Sequence, residues 1–259
     1  LWFVLILFAS PCPAEYEAEV AADTPTCWWR FEDPSSASGS TAADSAGVYP
    51  GTYSGDVQLL AGVAGQSARF DGNLDYVEIG HMGSLQVHGS IELWFLTEAV
   101  QNYRNVFTTG PLGGMATGNN AIRFEEHGNG NFFLAIGDDS GGLPDIAIVL
   151  TPNLEVDRWY HVVATWDTDL GLFNVYLDGI RVFVDHANTF WPAQMSDVKI
   201  GIGYEPSGQR SWLGRADEVA YYEYELSHAR VGAHFWEIMG RFTDGFESGE
   251  LSAWSHVGP

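Results

Sequence analysis

An all-β fold, a sandwich or jelly roll with one short C-terminal helix, is what this chain predicts, and three observations carry the prediction. Side chains alternate along RWYHVVATWDTDLGLFNVYLDGIRVFV, Arg158 to Val184. Tyr160, Val162, Ala164 and Trp166 fall on one face of an extended chain, and Trp159, His161, Val163 and Thr165 on the other. Asp178-Gly179, set between two β-rich runs, is the signature of a two-residue hairpin turn of the primed type. Thirty Gly and 11 Pro supply many turns, while helical heptads and long amphipathic runs are absent. With 46% apolar and 14% aromatic residues, 259 residues suffice for one large β domain with a packed core.

The elements follow in order. LWFVLILFASPCPA, residues 1–14, has the size of a signal-peptide core and is too short to span a bilayer. Cleavage after Ala14 would make Cys12 and Ala14 the small residues of the site. The alternative reading makes Leu1 to Ala9 a β-strand of the mature chain, long enough to be donated to a neighbour's sheet. If the segment is kept, Cys12 and Cys27 could pair in an oxidising compartment; if it is removed, Cys27 is a lone buried thiol. Residues 15–25 read as an acidic linker. A short strand within CWWRFED, Cys27 to Asp33, leads into a Pro/Ser/Gly/Ala loop. SARFDG and DYVEIG then flank a polar turn. In SIELWFLTE, Ile91, Leu93 and Phe95 alternate with Glu92, Trp94 and Leu96. NVFTTG, AIRFEEHGNGNFFLAIGDD, PDIAIVL, VKIGIG and RADEVAYYEYEL read as further strands. SHARVGAHFWEIMG is helical, with Ser227 as its N-cap. Residues 241–259 form a separate tail.

Charge narrows the function classes. Thirty-four acidic residues face 11 basic ones, for a formal charge of -23, and a surface of that sign repels phosphate backbones. Nucleic acid is thereby excluded as a partner. The excess acid either serves solubility outside the cell or gathers divalent cations. Lys199 is the single lysine. Sheet edges are commonly guarded by Lys, so these edges are protected by other devices or are meant to pair.

Taken in order, CWWRFED, DSAGVYPGTYSG, SARFDGNLDYVEI, SIELWF, RWYHVVATWD, NVYLDG, VKIGIG and GRADEVAYYEYELS resemble the laminin-G-like domains of the concanavalin A-like lectin/glucanase superfamily. The resemblance spans Thr26 to Met239, with the domain set at 26–240. It implies a jelly-roll sandwich of two antiparallel sheets, one of them concave. It also implies a structural calcium where the first and last core strands meet, at Glu32 or Asp33, Asp44 and Asp217. A second calcium candidate is FDGNLD, where Asp71, Asn73 and Asp75 alternate. The competing reading has Asp44, Asp71 and Asp75 capping turns and Asp217 paired with Arg215 or Arg69. The tail DGFESGELSAWS is similar to a short C-terminal segment of secreted bacterial proteins.

Glucanases of this superfamily place two carboxylates on one strand face, in an E-x-D-x-x-E or E-x-D-x-E pattern, and that pattern is not found. Glu223 and Glu225 alternate with Tyr222, Tyr224 and Leu226 as on an outer strand, and Glu125 and Glu126 are adjacent, so they point to opposite faces. Sugar binding would use loop aromatics, because a pyranose offers an apolar face rimmed by hydroxyls; Tyr103, Trp191, Tyr204 and Trp212 lie near predicted loops or strand ends. The sequence therefore points to a secreted, calcium-stabilised, non-enzymatic module that binds a glycan or an extracellular protein. The alternatives are a subunit that assembles with copies of itself by N-terminal strand addition, and a glycoside hydrolase.

Overall fold

The computed structural model describes residues 13–83, 87–109, 121–137, 146–185, 195, 197–203 and 210–240. Among these residues two helices, α1 (Pro13–Ala22) and α2 (His228–Met239), enclose a run of 16 strands in chain order. The early strands are β1 (Cys27–Trp29), β2 (Thr41–Ala42), β3 (Gly51–Ser54), β4 (Gln58–Ala61), β5 (Gln66–Asp71) and β6 (Tyr76–Gly80). The middle ones are β7 (His88–Thr97), β8 (Arg104–Thr108), β9 (Ala121–Glu126), β10 (Phe132–Gly137) and β11 (Ile146–Thr151). The last are β12 (Trp159–Asp167), β13 (Leu172–Leu177), β14 (Ile180–Asp185), β15 (Val198–Ile200) and β16 (Leu213–Tyr222).

They form two eight-stranded antiparallel sheets. Sheet A runs β14-β13-β12-β7-β16-β5-β4, with β1 paired on β16; sheet B runs β11-β10-β9-β8-β15-β6-β3-β2. The jelly-roll sandwich expected from the sequence is what forms. Its central hairpins behave as the alternation predicts: Tyr160, Val162, Ala164 and Trp166 join the core between the sheets, while Trp159 and Val163 face the other way into a second apolar cluster. The turn Asp178-Gly179 has positive φ at both positions, 50° and 73°, as a primed turn needs.

Aromatic rings fill the inter-sheet space. Phe95 stacks on Phe132 at 4.1 Å and on Tyr160 at 5.4 Å, and Trp212 meets Phe95 edge-on at 5.9 Å. Such ring pairs add about 0.5–1.5 kcal/mol beyond the area they bury.

Two expectations need correction. Residues 15–25 are not a linker: α1 occupies most of them, so the chain has two helices among its described residues rather than one. The acidic composition hid a helix that starts on Pro13 and sets Tyr16 and Val20 one turn apart, both buried. These two join Trp94, Val163, Tyr176, Val231 and Phe235 in the second cluster, on the outer face of sheet A. Helix α2 begins as expected, with Ser227 Oγ accepting from Arg230 N. The segment RADEVAYYEYEL leaves the sheet early, since β16 ends at Tyr222 and Glu223 and Glu225 lie beyond it.

Candidate functional site

The aromatic wall builds up from a strand of period two. In β9, Ile122 and Phe124 enter the core, so Arg123 and Glu125 stand on the outward face of sheet B. On the flanking strands Asn105 and Phe133 pair with Glu125 and share that face. His127 follows at the strand end, and the turn to β10 is closed by Gly130 N donating to the His127 carbonyl. Across from it, Tyr103 precedes β8 with a φ of 57°, an uncommon left-handed conformation for an aromatic residue. Gly128 N donates to Asn102 Oδ1 at 2.8 Å and ties the two loops together.

The rings of Tyr103 and His127 meet edge to face at 4.7 Å, and Phe133 lies 4.3 Å from His127 on the same wall. Arg210 reaches the Tyr103 ring, its guanidinium carbon 5.3 Å from the centroid. Tyr103 is 47% exposed, which leaves much of its surface open to a ligand. Beneath the wall sits buried Glu125. His127 Nε2 donates to Glu125 Oε1 at 2.9 Å, and Asn105 Nδ2 and Arg210 Nη1 approach Oε2 at 3.3 and 3.4 Å. Burial pushes the Glu125 carboxyl up, but the His127 hydrogen bond and the charges of Arg123, His127 and Arg210 outweigh it and hold it below the usual carboxylate range. Among the described residues Asn105 Oδ1 is buried without a hydrogen-bond partner, an acceptor held close to the site.

Of the four sequence-predicted aromatics, Tyr103 is brought to this wall. Trp212 is not: it is fully buried, donates to the Leu96 carbonyl at 3.2 Å and packs on Phe95 and Phe132, so it is a core residue and not a ligand contact. Trp191 and Tyr204 lie outside the described residues. Sequence reasoning missed Glu125 and His127 as a pair, and with them Phe133, Asn105 and Arg210.

The calcium candidates are engaged with backbone amides. Asp44 accepts from the amides of Trp28, Ala46, Val48 and Tyr49, and Asp33 accepts from Ala43 N and Tyr53 Oη. Asp71 accepts from Asn73 N, and Asp75 from Asp56 N and Asp71 N. Glu32 and Asp217 flank one tight turn, where Gln66 N donates to Glu32 and Val63 N to Asp217. Asp217 pairs with neither Arg69 nor Arg215, both of which turn to Glu98. Among the described residues no group of three or more His, Cys, Asp or Glu side chains is arranged to hold a metal ion.

A second polar cluster lies beneath the two helices. Glu92 meets His161 Nε2 at 2.7 Å, His234 Nδ1 at 3.0 Å and Tyr222 Oη at 2.8 Å, and His234 Nε2 reaches Asp23 at 2.8 Å. Both histidines are fully buried, so this cluster fastens helices to the sheet and offers a ligand no entry.

The Laminin_G_3 family model, described as the concanavalin A-like lectin/glucanases superfamily, matches residues 71–232. The chain belongs to this superfamily. Among solved structures, this superfamily member is similar to domain 4 of AbnA, a GH43 extracellular arabinanase from Geobacillus stearothermophilus, in complex with arabinotriose. The TM-score is 0.62 at 20% identity, over 81% of this chain and 97% of that one. It is also similar to the binding domain of botulinum neurotoxin serotype G, with a TM-score of 0.58 at 13% identity over 82% of this chain and 50% of that one. A mutant Trypanosoma rangeli sialidase displaying trans-sialidase activity gives 0.60 at 12% identity, over 88% of this chain and 38% of that one. No curated protein sequence matches the chain. At these identities the structural likenesses establish the fold, and fold leaves function to the site.

Proposed function

We propose that this chain is a secreted, non-enzymatic module that binds a carbohydrate on the Tyr103–His127–Phe133 wall of sheet B. One observation carries the reading: a half-exposed tyrosine ring stands beside polar groups already ordered by a buried carboxylate. A sugar ring would stack on Tyr103 while Arg210 and His127 meet its hydroxyls. The signal-peptide-like start supports secretion, as does the likeness to a domain of an extracellular arabinanase. Glu125 and Glu126 supply no acid and nucleophile pair, because they serve opposite faces of the sheet.

Arabinotriose is the first probe, followed by a panel of immobilised glycans. Calorimetric titration is expected to show binding that Tyr103→Ala weakens by about tenfold or more, the weight of one aromatic contact. Unchanged affinity in a folded Tyr103→Ala protein would move the site elsewhere. Release of reducing ends from a bound polysaccharide would refute the non-enzymatic part.

A further inference from the structure

The wall has two halves, and adjacent residues of β9 hold them. Glu125 fixes the His127 half from the outward face. Glu126, pointing the other way, reaches the loop between β7 and β8 that carries the Tyr103 half: Glu126 Oε1 accepts from Gln101 N at 2.7 Å, and Oε2 accepts from Thr97 Oγ1 at 3.0 Å. The carboxyl thus bridges the loop's start and the residue two before Tyr103. Thr97 Oγ1 also lies 3.0 Å from the Ala99 carbonyl, so its single hydroxyl hydrogen is shared between the carboxyl and the loop itself. Glu126 is fully buried, and among the described residues Arg104, its cross-strand neighbour on β8, is the charged group set against it; Phe132 faces it from β10.

We propose that Glu126 is the positioning residue of the binding site, holding the Tyr103 loop in its left-handed conformation from the core side. The inference rests on the carbohydrate reading of that wall for its functional meaning, but the positioning itself is a property of the ligand-free protein. Both bonds run to one carboxyl, so its loss frees the loop at two points together. A neutral side chain serves as well as a charged one: Gln at this position keeps a carbonyl for Gln101 N and offers its amide to Thr97 Oγ1.

Burial gives the arrangement a pH signature, because it pushes the Glu126 carboxyl up to about 7 against the bonds from Gln101 and Thr97 and the charge of Arg104. A carboxyl whose folded pKa lies above its unfolded value is favoured in its protonated form by folding. Stability therefore falls as pH rises from 4.5 to above 7. Glu126→Gln removes that dependence.

The experiment compares the full chain with its Glu126→Ala and Glu126→Gln variants. Hydrogen exchange without ligand should show protection of the Gln101 amide falling by about tenfold or more in Glu126→Ala, the loss of its hydrogen-bond acceptor. Glu126→Gln should retain it, and the Val163 amide in the core should stay protected in both. The melting temperature of the wild type should drop relative to Glu126→Gln across the same pH interval. Arabinotriose affinity, where present, should follow Gln101 protection. Unchanged Gln101 protection in Glu126→Ala, or failure of Gln to restore it, would overturn the proposal. Absence of arabinotriose and glycan-panel binding in all three proteins would overturn the carbohydrate reading alone, since exchange decides the positioning separately.

Discussion

Two aromatic residues of this chain look alike in the sequence and do opposite things in the fold. Tyr103 and Trp212 each sit just before a strand, and nothing local separates an exposed ring from a buried one. Trp212 is buried because Phe95 and Phe132 surround it, and both are distant in sequence. Truncation should report this difference. Trp212→Ala is expected to cost about 3–5 kcal/mol in urea unfolding, as large aromatic deletions in cores do. Tyr103→Ala should stay within about 1 kcal/mol while sugar binding falls. Equal losses for the two would mean that Tyr103 is a packing residue. The same limit applies to the rest of the site. That Glu125 and Glu126 face apart was legible from period two alone, but their partners were not. Gln101, Asn105 and Arg210 come to them through loop conformations and register shifts such as the bulge between Asn105 and Phe107. A readable signal for His127 existed in AIRFEEH, where the outward set Arg123, Glu125, His127 is polar throughout.

At the scale of elements, α1 shows how an acidic segment becomes part of a fold. Its composition suggests solvent, yet Tyr16 accepts from Trp94 Nε1 at 3.2 Å, and Asp23, just past the helix, meets both His234 and Arg230. With carboxylates at both ring nitrogens, His234 is best satisfied as an imidazolium. Burial lowers its pKa, but Glu92 and Asp23 together raise it above its ordinary 6.5. For Glu92 burial acts upward, and His234 and His161 overcome it, holding the carboxyl well below 4.5. The signs then give a window. The His234 contribution is complete below 6.5 and is lost as pH rises through its higher folded value; the Glu92 contribution is complete above 4.5 and is lost as pH falls. Docking of α1 should therefore be firmest between those limits. Hydrogen exchange of the α1 amides against pH should show protection declining on the alkaline side. In His234→Gln that decline should be absent and protection lower throughout; an alkaline decline surviving in His234→Gln would assign it to another group.

The whole molecule combines a legible core with edges that composition alone cannot judge. Alternation, the Asp178-Gly179 turn and the Ser227 cap were enough to give the sandwich and its last helix, because each is a local signal repeated by packing. Which strand ends a sheet is a matter of topology, and among the described residues it places β14 at the edge of sheet A. Ile180, Val182 and Val184 are exposed there, with Ile180 at 66%. An edge of that kind invites another strand, and Lys, the usual guard, is missing from it. Opposing this is the charge of -23, which makes copies of the chain repel one another. The repulsion is long-ranged and the edge contact is short-ranged, so salt separates them. At about 0.1 M ionic strength the screening length is about 10 Å, and at 1 M about 3 Å. Light scattering should find a monomer at low salt and association as salt is raised, with Val182→Lys suppressing the association. A monomer at every salt concentration would show that the flanks of β14 are guarded by something other than charge. Association equally strong in Val182→Lys would place the contact on a different surface.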